Sequence, residues 1–567
     1  MELLSYDVLV IGGGLTGLRA AMEAKRAGRD VALLSKVHPL RSHSVAAQGG
    51  INAALGNSLT PVRDSWDNHA FDTIKGSDYL ADQDAVEVMC QEGIERVIEM
   101  EHWGTLFSRM EDGRIAQRPF GGAGFPRTCY AADRTGHNLL HVLYEQVTGL
   151  QIPVYEECYA LALVVDDGRC TGIIGFDFFK GRMLPIHAKS IILATGGYGR
   201  IYLKSTNALI NTGSGCYLAY QTGVPLKDIE FVQFHPTSLY GTNILITEAA
   251  RGEGGYLFNA KGERFMERYA PKLLELGPRD IVARGIQTEI DEGRGFEEGY
   301  LHLDLRHLGK GKIMDRLPGI RQISIDFAGI DPIQECIPIE PAQHYSMGGI
   351  DTNLDGETSL PGLYAAGECA CVSVHGANRL GGNSLLETIV FGTRAGKKAS
   401  QDNQKEKRSP NPGAFQENLR AFHSKLEELF ERRREEPCFR LRDELKTLMT
   451  SQVGIFRKES DLLSAKKKIK EFKERLNYVG LKQKDIAFNY ELIQYLELEG
   501  MLHVAEVIVE GALARKESRG SHFRLDHPHR SDDHWLRHTI AYKTPKGPRL
   551  DYREVTITSY PPKERTY

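Results

Sequence analysis

Apolar runs bounded by glycine dominate the start of the chain and predict a parallel β-sheet crossed by a helix. Residues 6–11 (Y-D-V-L-V-I) and 31–34 (V-A-L-L) are continuous apolar segments, which is the pattern of strands that are buried on both faces. The stretch between them is helical in character to about Arg26, and Gly28 ends it. This order of strand, helix and strand predicts a βαβ unit.

Two later apolar runs extend the same sheet from distant parts of the chain. Residues 190–197 form a predicted strand that ends in A-T-G-G, and residues 363–368 form one that ends in A-A-G-E. Both patterns are typical of the strands with which flavoproteins return to their nucleotide-binding sheet. We therefore expect one domain made from residues 1–230 and 350–400, with residues 231–349 inserted as a separate domain.

After a polar linker with proline at residues 401–411, the apolar residues recur with the spacing of helices. One apolar stripe consists of Leu441, Leu445, Leu448 and Met449, a second of Leu462, Ala465, Ile469, Phe472 and Leu476, and a third lies within residues 488–515. Stripes with this spacing predict a helical bundle over residues 411–515. The lysine-rich run 466–473 fits the solvated face of one of these helices. Residues 516–567 are irregular with short strands and form the last predicted domain.

Composition excludes several classes of protein. The 567 residues carry a net charge of −4, whereas a dedicated nucleic-acid binder would normally be strongly basic. Nine cysteines are scattered without a C-x-x-C pair, so we expect a reducing compartment and no disulfide framework, zinc site or iron–sulfur site. No apolar run reaches the length of a membrane span, and the first strand begins too close to Met1 for a signal peptide. Any association with a membrane is expected to come through partner subunits.

A glycine-rich turn follows the first predicted strand. Gly12, Gly14 and Gly17 satisfy G-x-G-x-x-G between a strand and a helix, which is the context of a dinucleotide-binding site. The glycines allow a tight turn and close approach of a pyrophosphate, and the N-terminus of the helix attracts the phosphates. Ser35 and Lys36 stand where an acidic residue usually binds the ribose. FAD and NAD share this motif, and the A-T-G-G and A-A-G-E segments favour FAD.

These patterns together predict the α/β class. The expected architecture is a Rossmann-like FAD-binding domain with an inserted α+β capping domain, a C-terminal helical bundle and a small C-terminal irregular or β domain. Glu368, in the A-A-G-E segment, is positioned to accept hydrogen bonds from ribityl or ribose hydroxyls. A solvated acid at the end of a strand is the alternative interpretation.

The predicted inserted domain and the segments around it hold a concentration of polar side chains. The candidates are His235, Thr247, Glu248, Arg251, Arg279, His344 and Arg379, with Phe120 as an apolar wall. Each one alone has an ordinary structural explanation. Together they provide arginines that bind carboxylates bidentately and histidine or threonine donors, which suits a small dianion.

His43 and the histidines near the C-terminus need separate interpretation. The segment 41–50 (R-S-H-S-V-A-A-Q-G-G) is rich in small residues, so its backbone can approach a flat ligand closely, and it holds His43. Taken alone, an isolated histidine such as His43 is expected to be inert. Residues 516–567 hold five histidines, for which a docking surface or loop network is favoured over a metal site because no helical pair with a fitting carboxylate stands out.

The residues resemble those of one family over essentially the whole chain. The matching segments are R-S-H-S-V-A-A-Q-G-G, Q-R-P-F-G-G, R-T-C-Y-A-A-D-R-T-G-H, A-T-G-G, Q-F-H-P-T, T-E-A-A-R-G-E-G-G-Y-L, G-E-R-F-M-E-R-Y-A-P, H-Y-S-M-G-G-I, H-G-A-N-R-L-G-G-N-S-L-L, S-R-G-S-H and P-P-K-E-R-T-Y. This combination resembles the succinate dehydrogenase/fumarate reductase flavoprotein family. The resemblance implies an FAD-dependent oxidoreductase of succinate and fumarate.

The resemblance also assigns roles to individual positions. It implies FAD attached covalently through its 8α-methyl carbon to His43, and Arg279 as the proton donor and acceptor, with Glu248 and Arg251 as a proton relay. The substrate residues that it implies are His235, Thr247, His344 and Arg379, beside Phe120. The predicted FAD contacts are Gly12, Gly14, Gly17, Ser35, Lys36, Ser42, Gln48, Gly49, Gly50, Ser214, Glu368, Ser384 and Leu385. Ser214 stands where the family usually has an aspartate.

The implied physiological setting is the flavoprotein subunit of a respiratory complex II. Succinate would be oxidised by hydride transfer to FAD, and electrons would pass to an iron–sulfur subunit and to quinone bound by membrane anchor subunits. Attachment to the cytoplasmic face of a prokaryotic membrane through these partners, and a flavinylation assembly factor, are further implications. The alternatives are a fumarate reductase working in reverse, a soluble L-aspartate oxidase that lacks the equivalent of His43, a non-catalytic flavin-binding subunit, and a tRNA-modifying flavoprotein, which the charge balance disfavours.

Overall fold

The computed structural model describes residues 3–58, 62–404, 406, 409–433 and 435–566. The helices are α1 (Leu15–Arg26), α2 (Trp66–Gly76), α3 (Gln83–His102), α4 (Thr135–Gly149), α5 (Ser214–Gln221), α6 (Glu248–Gly252), α7 (Met266–Tyr269), α8 (Arg279–Asp291), α9 (Gly309–Arg316), α10 (Pro318–Ala328), α11 (Asn383–Asn403), α12 (Pro412–Glu431), α13 (Cys438–Gln452), α14 (Glu459–Arg475), α15 (Tyr490–Ala514) and α16 (Asp532–Trp535).

The strands are between two and twelve residues long. They are β1 (Leu4–Ile11), β2 (Val31–Leu34), β3 (Ile51–Asn52), β4 (Gln117–Arg118), β5 (Thr128–Cys129), β6 (Val154–Tyr155), β7 (Cys158–Asp166), β8 (Arg169–Asp177), β9 (Arg182–Leu193), β10 (Leu226–Lys227), β11 (Val232–Leu239), β12 (Tyr256–Phe258), β13 (Leu301–Asp304), β14 (Ile337–Ser346), β15 (Gly349–Asp351), β16 (Leu363–Ala365), β17 (Ala370–Cys371), β18 (Phe456–Arg457), β19 (Phe523–Arg524), β20 (Arg537–Thr544) and β21 (Gly547–Glu554).

The main sheet has seven strands in the order β6-β2-β1-β9-β8-β7, with β16 also paired to β9. One edge of β9 pairs with β1, and the other edge is long enough to serve two neighbours, because its first half pairs antiparallel with β8 and its last residues pair parallel with β16. Strands β1, β2, β9 and β16 all run parallel, so their carboxyl ends meet at one edge. The glycine turn after β1 and the A-T-G-G and A-A-G-E segments therefore lie together at that edge.

Helices α1 and α11 cover one face of this sheet and lie close to each other. A Cβ atom added at Gly396 of α11 would lie 2.5 Å from the carbonyl oxygen of Ala20 in α1. Helix α11 continues to Asn403, so the first residues of the linker predicted at 401–411 are helical. The reason is tertiary, since Asn403 is buried and donates a hydrogen bond to the carbonyl of Asp7 at 2.5 Å. Residues 405, 407 and 408 of that predicted linker lie outside the described residues.

A second sheet lies within residues 232–346 and has its own hydrophobic core. Its strand order is β11-β14-β13-β12, all antiparallel, with helices α6 to α10 around it. Its core includes Leu239, Leu257, Ile286 and Ile339. Phe120, which comes from the loop after β4, packs into the same core, so a residue from outside 232–346 helps to fill it.

The C-terminal helices share their interior with the main sheet. The predicted apolar stripes of α13 and α14 are buried, and α15 is buried along most of its length. These side chains belong to one core that also contains Leu9 of β1 and Ile191 of β9. The bundle is therefore packed directly on the sheet. Among the described residues, no helix is long and apolar enough to cross a bilayer.

The C-terminal segment pairs with earlier parts of the chain. Strands β20 and β21 extend a sheet that also contains β10, β15 and β17, and β19 pairs with β18. His538 of β20 is buried between two carboxylates, 2.6 Å from Asp228 and 3.1 Å from Asp82. Burial alone would lower the pKa of His538, but the two aspartates outweigh it and raise that pKa to about 9. Among the described residues, no group of three or more histidine, cysteine, aspartate or glutamate side chains is arranged so that it could hold a metal ion. His522, another of the C-terminal histidines, is buried against Arg457.

We expect the stability of the protein to fall as pH rises from about 6.5 to about 9, because His538 has an ordinary pKa of 6.5 when unfolded and about 9 when folded. The charged form is favoured in the folded state, so its contribution is complete below the lower value and is lost above the higher one. The contribution is on the order of 3 kcal/mol. Thermal unfolding of His538→Gln across this range should show a shallower pH dependence than the parent chain.

His69 provides a matched control for this prediction. It is also buried and bonds Asn383 at 2.8 Å, but burial lowers its pKa to about 3, so it stays neutral throughout the range. His69→Gln should keep the pH dependence of the parent chain. A His538→Gln variant that also keeps it would contradict the assignment.

Candidate active site

An elongated pocket starts at the carboxyl edge of the main sheet and ends between the two sheets. The nucleotide end is lined by Gly12, Gly14, Ser35, Lys36 and Ser214, the middle by Ser42, His43, Gln48, Gly49, Gly50, Glu368, Ser384 and Leu385, and the far end by Phe120, His235, Thr247, Glu248, Arg279, His344 and Arg379. The fold thus brings residues from both ends of the sequence to one continuous surface.

The glycine turn makes a cradle into which no side chain fits. Gly12 has φ +121°, and a Cβ atom there would lie 2.1 Å from the carbonyl oxygen of Ala194. A Cβ atom on Gly13 would lie 2.7 Å from Ser35 Oγ. Gly17 does not line the pocket, because it lets α1 pack on the turn, with a Cβ position 1.8 Å from the carbonyl oxygen of Gly12. This cradle leaves backbone N–H groups open to a pyrophosphate.

Lys36 and Ser214, at the nucleotide end of the pocket, differ in how the fold holds them. Lys36 Nζ donates to Glu497 of α15 at 2.9 Å, so its charge is already paired across the two parts of the fold. Ser214 is the first residue of α5, directly after Gly213 with φ +77°. Its hydroxyl lies at the start of a helix, where the backbone itself offers N–H donors.

His43 faces the middle of the pocket from a short 3₁₀ turn, His43–Ala46. Its Nδ1 accepts a hydrogen bond from the Ala208 N–H at 3.2 Å, and Asn207 Nδ2 lies 3.3 Å from its Nε2. Burial and the charge of Arg200 lower the pKa of His43 to about 4. The imidazole is therefore neutral at physiological pH, which is the form that carries a nucleophilic lone pair.

The backbone beside His43 is shaped for a flat ligand. Gly50 has φ +138°, and a Cβ atom there would lie 2.5 Å from the carbonyl oxygen of Cys129. Arg118 fixes this segment by donating to the Gly49 carbonyl at 3.0 Å. The pocket-lining groups Ser42 Oγ and Thr195 Oγ1 are buried without a protein partner among the described residues. Such groups need a hydrogen-bonding ligand, so the pocket fits a dinucleotide with a flat ring.

The far end of the pocket is positively charged. Arg279 and Arg379 are both buried and face the same space. His235 and His344 lie beside them with ring centroids 4.9 Å apart, and burial together with neighbouring positive groups lowers the pKa of both imidazoles well below their ordinary value. The histidines are thus neutral donors, and the arginines supply the charge. Thr247 caps α6 at the same place, accepting from the Ala249 N–H at 3.2 Å.

A buried carboxylate connects two arginines behind this charged end. Arg279 Nε donates to Glu248 Oε2 at 2.7 Å, and Arg251 Nη2 lies 3.9 Å from Glu248 Oε1. Burial would raise the pKa of Glu248, but the charges of the two arginines outweigh it and hold that pKa below its ordinary value. Arg251 does not line the pocket; it lies behind Glu248 and donates to the carbonyl of Glu275. The three side chains form a line that leads away from the pocket.

The pKa values of Glu368 and Arg379 are both shifted strongly from their ordinary values. Burial raises the pKa of Glu368 to about 7, although the Ser346 N–H donates to it at 3.0 Å. Burial, followed by the charge of Arg279, lowers the pKa of Arg379 to about 9. Shifts of this kind concentrate at functional sites because desolvation and like charges are placed there for binding.

Comparison with known proteins identifies the family. Residues 7–385 match the model of an FAD binding domain, and residues 442–567 match the model of a fumarate reductase flavoprotein C-terminal region. The fumarate reductase flavoprotein subunit of Mycobacterium tuberculosis is 45% identical over 99% of both chains. The chain belongs to the succinate dehydrogenase/fumarate reductase flavoprotein family.

Two further members show how closely the family is matched. The succinate dehydrogenase flavoprotein subunit of Rickettsia conorii is 43% identical over 99% of this chain and 98% of its own. A mutant of the quinol fumarate reductase FrdA of E. coli superposes with a TM-score of 0.96 at 39% identity, covering 100% of this chain and 99% of the other. The α/β class predicted from the sequence is thereby confirmed, and FAD is the cofactor of this flavoprotein.

Several residues at the site of this flavoprotein were not predicted from its sequence. Thr206 bonds His344 Nδ1 at 2.8 Å, Asn207 and Ala208 contact His43, and Gln233 accepts from Arg279 Nη1 at 3.1 Å. The sequence did contain a pattern that points to Gln233, because it lies two residues before His235 on β11 and so shares a face of the strand with it. Residues 206–208 carry no comparable pattern in the sequence.

Proposed function

We propose that this chain oxidises succinate to fumarate as the flavoprotein subunit of a respiratory complex II, with FAD linked covalently to His43. One observation carries the proposal: the Arg279–Glu248 pair closes a pocket whose other end is the FAD cradle. A dicarboxylate held at the charged end would therefore lie next to the ring of the cofactor. Fumarate reduction is the same reaction in reverse, and both names occur among the relatives.

Substrate binding follows from the charges of the far end. Arg379 and Arg279 attract a dianion, and His235, His344 and Thr247 add uncharged donors. Arginine binds carboxylates with parallel N–H groups, which fixes orientation as well as position. Holding both carboxylates fixes the carbon–carbon bond between them, and much of the rate is expected to come from that alignment.

The pocket residues would hold FAD, which would supply the redox chemistry as the acceptor of a hydride from one methylene carbon of succinate. The chain's own task is to remove a proton from the neighbouring carbon. Arg279 bonds Glu248 through Nε and Gln233 through Nη1, and neither contact uses Nη2. We assign proton transfer to Arg279 and onward transfer to Glu248 and Arg251, because Glu248 contacts both guanidinium groups.

The surroundings of Arg279 make this unusual role feasible. A guanidinium normally stays protonated, so proton transfer needs a partner that takes the proton as it moves. Glu248 is ionised, fully buried and 2.7 Å away, and Arg251 and Arg379 add positive charge nearby.

The role proposed for His43 rests on its neutral ring and on the backbone that frames it. Attachment of the 8α carbon to the imidazole withdraws electron density from the cofactor and should raise its potential. That matters because succinate is a poor reductant. A soluble L-aspartate oxidase is the main alternative, and His43 argues against it because those enzymes lack this residue.

The partners in this proposal are an iron–sulfur subunit and membrane anchor subunits that bind quinone. Electrons must leave the reduced cofactor, and the described residues hold no cysteine cluster that would carry an iron–sulfur centre. The E. coli relative is a quinol fumarate reductase, which supports a quinone as the distant partner. Peripheral attachment to the cytoplasmic face of a prokaryotic membrane and help from a flavinylation factor belong to the same proposal.

One preparation tests the proposal. The chain is purified with its native partners, denatured and run on a gel to see whether yellow fluorescence stays with the polypeptide. The native complex is then assayed for dye reduction with succinate and, separately, with L-aspartate. Covalent fluorescence with succinate-dependent reduction is expected. Reduction by L-aspartate alone, or by neither acid, would overturn the proposal.

A further inference from the structure

Arg279 and Arg379 are compensated in different ways. Arg279 has a direct carboxylate partner, Glu248, at 2.7 Å. Among the residues that the structure describes, Arg379 has no carboxylate within ion-pair distance, and its Nε has no hydrogen-bond partner. Its protein hydrogen bond runs from Nη1 to the carbonyl of Leu380 at 3.4 Å, which is long. A buried guanidinium with so few contacts needs another source of support.

The aromatic ring of Tyr345 provides that support. The guanidinium carbon of Arg379 lies 4.4 Å from the centroid of this ring, within the range of a cation–π contact. Tyr345 follows the substrate residue His344 on β14 and lines the pocket. Both partners are buried, so the contact is desolvated and stronger than it would be at the surface.

Behind the ring, a buried acid holds the tyrosine. The Tyr345 hydroxyl donates to Glu387 Oε2, and His375 Nε2 lies 3.0 Å from the same oxygen. Glu387 belongs to α11 and does not line the pocket. The order from the pocket inwards is therefore a guanidinium, a phenol ring and a carboxylate, with His375 as the second donor to the carboxylate.

We propose that Tyr345, held by Glu387, is a positioning residue that presents Arg379 to the substrate with most of its N–H donors unoccupied. A direct ion pair would compensate the charge of Arg379 but would also occupy the donors that a substrate carboxylate needs. An aromatic ring between the two charges avoids that conflict, because it attracts the cation through its π face and does not take up N–H donors as a carboxylate would. Donation to a carboxylate also makes the ring more electron-rich, which strengthens its attraction for the cation.

This inference rests on the proposed dicarboxylate function and concerns only the part of the binding site formed by Arg379. Tyr345→Phe is the informative variant, because it keeps the ring and the charge of Glu387 and removes only the hydrogen bond between them. Tyr345→Leu removes the ring as well. Tyr364→Phe is the matched control: the Tyr364 hydroxyl also donates to a carboxylate, Asp402, at 2.8 Å, but Tyr364 does not line the pocket.

The test measures binding of radiolabelled malonate by equilibrium dialysis to the complex purified with its native partners. We expect a dissociation constant raised about threefold to fivefold by Tyr345→Phe and more than about tenfold by Tyr345→Leu, with no change for Tyr364→Phe. In an Arg379→Gln background, Tyr345→Phe should change binding by less than about twofold, since it acts through Arg379. Covalent flavin content and the thermal midpoint report on folding in each case.

The outcomes separate the two proposals. Unchanged malonate binding in Tyr345→Phe, or an equal effect with and without Arg379, overturns the positioning role while leaving the proposed function standing. If the Phe variant does not fold, Tyr345→Trp replaces it, because an indole keeps a face for the cation without the bond to Glu387, and the same coupling to Arg379 is expected. A parent complex that binds no dicarboxylate overturns both proposals.

Discussion

Replacing Arg279 by glutamine is expected to abolish succinate-dependent dye reduction while the flavin stays bound. Acid–base groups that transfer a proton in the rate-limiting step contribute about a hundredfold to ten-thousandfold. The variant should fall at the high end, because among the residues that the structure describes no other pocket-lining side chain bonds both Glu248 and Gln233. Glutamine keeps some hydrogen-bonding capacity but offers no group that can exchange a proton with Glu248. The loss should therefore appear in kcat.

The measurement needs three readouts on the same preparation. Flavin fluorescence on a denaturing gel reports attachment, malonate dialysis reports binding, and dye reduction reports turnover. Arg284→Gln is the control on the same helix, since Arg284 pairs with Asp280 at 3.1 Å and does not line the active-site pocket. The control should keep turnover. Near-normal turnover in Arg279→Gln would refute the proton-transfer role.

Replacing His43 by serine is expected to leave FAD bound noncovalently and to impair succinate oxidation more than fumarate reduction. Most cofactor contacts lie elsewhere, in the glycine cradle and along the pocket, so binding should survive. The potential should fall because the electron-withdrawing bond is gone. For a two-electron couple, each fall of about 30 mV corresponds to about 1.4 kcal/mol, or tenfold in the equilibrium constant for reduction of the flavin by succinate, so a fall of that size would give an asymmetry of about tenfold between the two directions.

Turnover in both directions, on one preparation, checks this asymmetry. His38→Ser is the control from the same segment, because His38 caps the neighbouring turn by accepting from the Leu40 N–H and does not line the pocket. It should keep fluorescent, covalently bound flavin. Equal losses in the two directions would count against the account of the covalent bond, and retention of covalent flavin in His43→Ser would show that another residue carries it.

The sequence alone determined the local features of this protein. Apolar strands, the glycine turn and the helical stripes depend on residues near one another in the chain, so their patterns are visible without the fold. The strand that ends at Ile11 and the turn at Gly12 are examples, because backbone geometry there requires glycine. The chemistry of the site was also visible in part, since arginine, histidine and threonine suit a dianion wherever they meet.

Tertiary structure decided which of these groups act together and how each is held. Asn207 touches His43 from 164 positions away, Lys36 pairs with Glu497 across 461 positions, and Tyr345 is held by Glu387 across 42. No local pattern encodes such pairs, because they form only when distant segments of the chain pack against one another. Burial and neighbouring charges also decide whether His43 is neutral and whether Arg379 keeps most of its N–H donors unoccupied. Burial and these neighbours arise only when the chain packs.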